Sequence, residues 1–133
     1  MYYFAYGLNL NRKQMTQYLP GNRPMFSAEL PNYKLIFCDW SRKWRGGVIS
    51  LKHSRGDKVL GGIYEITEKD LVRLDKYEWC PDSYSRLKVT VYRDRNKPIE
   101  ALTYVKNGQP EETKPSKEYL RIIQQGYHDW GLI

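Results

Sequence analysis

The chain of 133 residues contains no apolar run approaching the ~20 residues that a bilayer span requires. Its opening, Met1 to Tyr6, also lacks the basic stretch and small-residue cleavage site of a secretory signal. These two absences lead to the expectation of a soluble, unexported, cytoplasmic protein. Cysteine is scarce: Cys38 and Cys80 form no CxxC pair, and two thiols are too few for a disulfide scaffold, so both are expected free in a reducing compartment. Histidine is equally scarce, and the possible metal ligands Cys38, His53, Cys80 and His128 stand singly, whereas a zinc site normally brings close pairs. They read as two packed thiols and two surface imidazoles, with no metal implied. The motifs GxxxxGK[ST], GxGxxG and HExxH are missing, as is a serine in a GxSxG setting, so nucleotide-dependent chemistry and serine hydrolysis drop away. No repeat, linker or low-complexity segment divides the chain, and at ~100–200 residues per domain, residues 1–133 are expected to form a single domain.

What is abundant is positive charge and tyrosine. Lys and Arg number 22 against 15 Asp and Glu, a net +7 that suits a nucleic acid or a small anionic ligand without choosing between them. Tyr outnumbers Phe by 12 to 3. A buried tyrosine brings a hydroxyl that needs a partner, so such a core often encloses a pocket with polar contacts.

Aromatic residues over 2–6 predict a short strand that stops at Gly7, after which Asn9 or Asn11 can cap a helix over 12–19. Strands are predicted over 25–30 and 33–40, separated by Pro31-Asn32, and over 48–51 and 58–66, joined by the turn Ser54-Arg55-Gly56-Asp57. A loop is expected at 41–47. Thr67 caps a helix over 68–78, with Glu68 and Asp70 in its first turn as the dipole favours. The alternation of Leu87, Val89 and Val91 with Arg86, Lys88, Thr90 and Tyr92 predicts a strand over 83–93, paired in a hairpin with 99–105. A polar stretch, 106–114, precedes a last helix over 117–125, which Gly126 ends, leaving an aromatic tail over 127–133 to pack back on the body. About seven strands and three helices, not in strict alternation, indicate an α+β fold with a mixed, strongly curved sheet or partial barrel.

Two constellations could carry chemistry. On the 68–78 helix, Leu71, Leu74 and Glu78 share one face, with Asp75 at its edge. A carboxylate directed into an apolar site has its charged form disfavoured, which raises its pKa toward the range of a general base at neutral pH. The spacing leaves a second placement open, a frayed last turn from which Glu78 reaches solvent. Asp75 reads as a helix-surface or loop-binding carboxylate without a catalytic part. The second constellation is Tyr6-Gly7-Leu8-Asn9-Leu10, between a strand and a helix. A glycine turn whose N–H groups converge beside a helix start can hold an oxyanion or carboxylate, and an ordinary capped turn has the same sequence features.

The segment Tyr3-Phe4-Ala5-Tyr6-Gly7-Leu8-Asn9-Leu10 resembles the FAYGSNL opening of the γ-glutamylcyclotransferase-like superfamily, which includes the AIG2-like proteins. Gly61-Gly62-Ile63-Tyr64-Glu65-Ile66 resembles the GxxYxl strand of that family, and Leu74-Asp75-Lys76-Tyr77-Glu78 its LDxxEg segment. Tyr84-Ser85-Arg86, Thr103-Tyr104-Val105 and the stretch from Pro115-Ser116 through Tyr119-Leu120 and Ile123 to Gly126 resemble its YxR strand, TYV strand and final helix. The resemblance implies the cyclotransferase fold and a cyclisation of a small-molecule γ-glutamyl amine or peptide to 5-oxoproline, with Glu78 as general acid/base and neither metal nor nucleotide required. It implies substrate contacts from Tyr6, Gly7, Leu8, Asn9 and Leu10 and from Tyr84 and Tyr119, the last two being equally readable as core tyrosines with satisfied hydroxyls. The family's loop serine is Leu8 here, and the glycine that commonly follows the glutamate is Trp79. Both departures bear on which substrate is used. A competing class is a nucleic-acid or anion-binding module, since Trp40-Ser41-Arg42-Lys43-Trp44-Arg45 interleaves aromatic and basic residues, although no RNP or KH signature accompanies it. A third is the same fold without catalysis. No membrane partner is implied, and oligomeric state is not legible.

Overall fold

In the computed structural model, which describes residues 1–108 and 110–133, the alternating segment forms β4 (Tyr84–Tyr92). Val89 and Val91 are buried while Lys88 and Thr90 face solvent, as a period of two requires. Its hairpin partner β5 (Pro98–Lys106) runs antiparallel in unbroken register from Tyr84↔Lys106 to Tyr92↔Pro98. The first strand, β1 (Tyr2–Ala5), lies antiparallel to β3 (Gly46–Glu65) and meets β5 in parallel at Tyr3↔Leu102. The remaining strand, β2 (Arg23–Ser41), pairs along β3 and contacts β4 at Glu29↔Tyr92. The order β1-β3-β2-β4-β5 closes on itself, so the mixed, curved sheet expected from the sequence is a closed barrel.

Five strands stand among the described residues where about seven were expected, because two expected breaks are bulges inside continuous strands. The register passes from Pro31↔Lys58 to Tyr33↔His53, so the single residue Asn32 faces residues 54–57. The turn chemistry read from the sequence is present there. Gly56 has φ 90° and Asn32 φ 65°, the Ser54 hydroxyl donates to Asp57 at 2.6 Å, and the Gly56 N–H donates to Asn32 Oδ1 at 3.1 Å. Those bonds kink both strands at one point instead of reversing either, and the ladder resumes on each side. Of the polar stretch 106–114, residue 109 lies outside the described residues.

Three α-helices complete the fold among the described residues. In α1 (Arg12–Tyr18) the cap is Asn11, whose side chain accepts the Gln14 N–H at 3.0 Å, which leaves Asn9 for another task. The second, α2 (Glu68–Tyr77), opens with a full capping box between Thr67 and Asp70. The third, α3 (Lys117–Asp129), runs through Gly126 instead of ending there. A Cβ at Gly126 would lie 2.6 Å from the Asn11 backbone nitrogen, so this glycine lets α3 press against the chain before α1, a packing role that resembles a stop signal in sequence.

The alternation of β1 divides the core. Phe4 and Tyr6 belong to a cluster with Ile63, Val91, Tyr119 and Ile123, while Tyr3 and Ala5 join Leu10, Met15, Leu71 and Leu74 under α1 and α2. Each fully buried aliphatic side chain contributes ~1.5–3 kcal/mol, so the second cluster fixes where α2 ends relative to the turn after β1. That placement decides the geometry of the site.

Candidate active site

Burial of Leu71 and Leu74 sets the rotation of α2, and its phase carries one residue past the helix to Glu78, whose N–H bonds the Leu74 carbonyl at 2.9 Å. Glu78 is therefore directed inward with the apolar face, and the frayed, solvent-reaching placement is not adopted. On the other side, β1 ends and the chain turns sharply at Gly7. A Cβ there would stand 2.5 Å from Ile49 Cγ2, so glycine lets the turn lie close against β3. A short 3₁₀ turn, Leu8–Leu10, follows, closed by the Leu10 N–H on the Gly7 carbonyl at 3.1 Å and the Asn11 N–H on Leu8 at 3.0 Å. The N–H groups of Gly7, Leu8 and Asn9 take no part in that closure.

Asn9 joins the two pieces. Its Nδ2 donates to Glu78 Oε1 at 3.2 Å and to the Tyr3 hydroxyl at 2.9 Å, and its Oδ1 is buried without a hydrogen-bond partner among the described residues. Burial pushes the Glu78 carboxyl up from its ordinary 4.5 to about 7, against the smaller opposing pulls of the Asn9 hydrogen bond and the Lys106 charge. At neutral pH the group is thus divided between base and acid forms, as proton transfer in both directions requires.

Tyr6, Gly7, Leu8, Asn9, Glu78, Tyr84 and Tyr119 line one cavity of about 610 Å³, within the ~300–1,000 Å³ usual for small-molecule sites. Leu10 does not line it. With its N–H turned back on Gly7, its side chain is fully buried among Met15 and Leu74. The tyrosines differ in what they have left to offer. Tyr84 donates its proton to the Ile49 carbonyl at 2.9 Å and Tyr6 donates to the Tyr104 carbonyl, so both present only lone pairs. Tyr119 accepts the Ile49 N–H at 2.8 Å and Tyr3 accepts from Asn9, so each keeps a hydroxyl proton to give. Burial raises the pKa of Tyr3, Tyr6, Tyr84 and Tyr119 above the ordinary 10, which keeps all four neutral.

Asp75, read from the sequence as a helix-surface or loop-binding carboxylate, is held by side chains of two strands. Arg86 grips it through both oxygens and the Tyr104 hydroxyl donates to it at 2.6 Å, and the Arg86 hydrogen bonds hold its pKa below the usual carboxylate range. It stays ionised and ties α2 to β4 and β5. Cys38 is buried, Cys80 half-buried and both imidazoles exposed, and the described residues gather no three metal-ligating side chains.

The family model for γ-glutamyl cyclotransferase, AIG2-like, matches residues 3–130. The chain belongs to that family. It is similar to the γ-glutamylcyclotransferases of Bos taurus, at 31% identity, and Homo sapiens, at 30%, each aligned over 98% of this chain and 71% of the relative. A solved γ-glutamyl cyclotransferase structure superposes with a TM-score of 0.93 at 29% identity, covering 99% of this chain and 80% of the other. The protein is accordingly an enzyme of the cyclotransferase family, with the family's barrel.

Two residues of this candidate site escape a reading of motifs. Lys106 lines the cavity, donates to the Ser83 hydroxyl at 2.6 Å and pairs with Asp39 at 3.3 Å. The only signal for it was the period of β5, which puts it on the same face as Tyr104. Tyr3 was marked only as part of the opening motif, and its hydroxyl becomes relevant once Asn9 is seen to bond it. The two departures from the family pattern are also placed. Leu8 is half-buried at the cavity wall against the barrel cluster. Trp79 takes φ 54°, a conformation in which glycine is unstrained, which accounts for the glycine common at that point in the family.

Proposed function

We propose that the 133-residue domain cyclises a small γ-glutamyl amide to 5-oxoproline and the free amine, with Glu78 as the group that moves the proton. The observation that carries this reading is a half-buried carboxylate of raised pKa, directed into a cavity of ligand size and hydrogen-bonded to Asn9 of the Tyr6–Leu10 turn. Glu78 takes one proton from the substrate's α-ammonium, and the freed amine attacks the γ-carbonyl carbon. A carbon–nitrogen bond forms as the ring closes. The tetrahedral centre then collapses with cleavage of the bond to the leaving nitrogen, which receives the proton held by Glu78; the carboxylate so freed takes the second proton from the ring nitrogen and passes it to the departing amine, leaving a neutral lactam and a protonated amine. No water is consumed and no oxidation state changes.

Nucleophile and electrophile belong to one molecule, so most of the rate advantage comes from holding the glutamyl chain folded. The N–H groups of Gly7, Leu8 and Asn9 are suited to the developing oxyanion or to the α-carboxylate, and the hydroxyls of Tyr3 and Tyr119 add donors on the same cavity. Asn9 holds the Glu78 carboxylate in place. Two free cysteines support a reducing, cytoplasmic setting. The basic loop supports a substrate site over a nucleic-acid platform, because Trp44 packs on Tyr119 with ring centres 5.2 Å apart and Lys43 covers its ring.

The test is incubation with γ-glutamyl amino acids, γ-glutamylamines and glutathione, scored for 5-oxoproline. Release from at least one class is expected. Failure with all of them, together with tight RNA binding that weakens steeply with salt, would overturn the reading.

A further inference from the structure

The four tryptophans fall into two kinds. Trp44 packs on Tyr119, and Trp130 packs on Tyr64 and donates its indole N–H to the Leu10 carbonyl at 2.8 Å. Trp40 and Trp79 are 63% and 74% exposed, pair with no ring and bond no acceptor among the described residues, yet both line the cavity that holds Glu78. Each is set there by backbone that a non-glycine residue adopts at a cost. Asp39 is the extra residue of a bulge in β2, with φ 60°, and it re-aims Trp40, while Trp79 itself has φ 54°. Left-handed backbone at such residues costs of order 1 kcal/mol each and persists where it serves a site. Tyr77, 42% exposed and stacked on Tyr18 at 3.9 Å, extends the same wall.

We infer that Trp40 and Trp79 form a subsite for the leaving amine, and that the substrates of this enzyme carry an aromatic ring on that amine. The inference rests on the cyclotransferase reading. The cavity of about 610 Å³ is more room than the glutamyl group needs, and with that group between Glu78 and the Gly7 turn the exposed indoles of Trp40 and Trp79 are left for the amine. Free indole faces recognise planar rings by offset or edge contact, beyond the area they cover. A cationic leaving group would also meet an indole face, but the lining carries both signs, Lys43 and Lys106 with Asp39, Asp82 and Glu78, so charge does not select among amines there and ring contact does.

The experiment compares γ-glutamylbenzylamide, γ-glutamyl(cyclohexylmethyl)amide and γ-glutamylmethylamide by kcat/KM, with γ-glutamylphenylalanine added to separate aromatic amino acids from arylalkylamines. The benzyl compound is expected to exceed the cyclohexylmethyl compound by ~3-fold or more, the range of an aromatic contact. That ratio should fall to ~1 in the variant combining Trp40→Ala and Trp79→Gly. Dissociation constants on Glu78→Gln give the same ratio without turnover. Absence of 5-oxoproline from every compound would overturn the cyclotransferase reading, whereas equal values for benzyl and cyclohexylmethyl in both assays, or a ratio unchanged in the double variant, would overturn the aromatic subsite.

Discussion

Replacing Glu78 by glutamine should make the protein more stable, and by an amount that depends on pH. A carboxyl whose pKa rises from 4.5 unfolded to about 7 folded binds its proton more tightly in the native state. Its contribution to stability is fully present below pH 4.5 and is lost as pH rises through about 7. At ~1.4 kcal/mol per pH decade the loss is about 3 kcal/mol by pH 8. Glutamine keeps the shape and can still accept from Asn9 Nδ2, but it carries no charge to bury. Urea unfolding at 25 °C should therefore find Glu78→Gln about 3 kcal/mol more stable than the wild type at pH 8 and within ~0.5 kcal/mol of it at pH 4. In a chain of this length that difference is a shift of roughly 10 °C in Tm. A gap that does not change with pH, or a wild type more stable at pH 8, would refute the placement of an ionisable carboxyl in a desolvated site.

Three further outcomes follow from particular contacts. Asn9→Ala removes the donor that favours ionised Glu78, so the acid limb of the kcat/KM profile should move to higher pH, as rates measured from pH 5 to 9 would reveal. Trp79→Gly should stabilise the protein by ~0.5–1 kcal/mol in a denaturant titration, because the left-handed strain goes and the mostly exposed indole gives up little burial. Gly126→Ala should destabilise by ~1–3 kcal/mol despite alanine's better helix propensity, since the added methyl meets Asn11 backbone, and a gain in Tm would contradict that packing.

The α2 end of the site was legible because helical phase is local: Leu71, Leu74 and Glu78 share a face in any helix with those spacings. The strand count was not. Pro31-Asn32 and Ser54 to Asp57 carry real turn chemistry, and only pairing across the hairpin, which local sequence does not encode, turns two breaks into one kink. Gly126 misled for a related reason, because a glycine that ends a helix and one that admits a neighbouring backbone differ only in tertiary context. The Gly7 turn was legible as a motif, yet its close approach to Ile49, on a distant strand, was not. Leu10 and Asn9 show the same limit at single-residue scale: neighbours in one motif, one is directed into the core and the other toward the carboxylate.

The most direct test of Glu78 as the proton carrier is single-turnover release of 5-oxoproline at pH 8 with excess enzyme, comparing the wild type with Glu78→Gln on whichever γ-glutamyl compound the wild type turns over fastest. A loss of ~10²-fold or more, in a variant whose circular dichroism is native and whose stability is raised, is the expected result. A Glu78→Gln rate within ~3-fold of the wild type would contradict it and remove Glu78 from the chemistry.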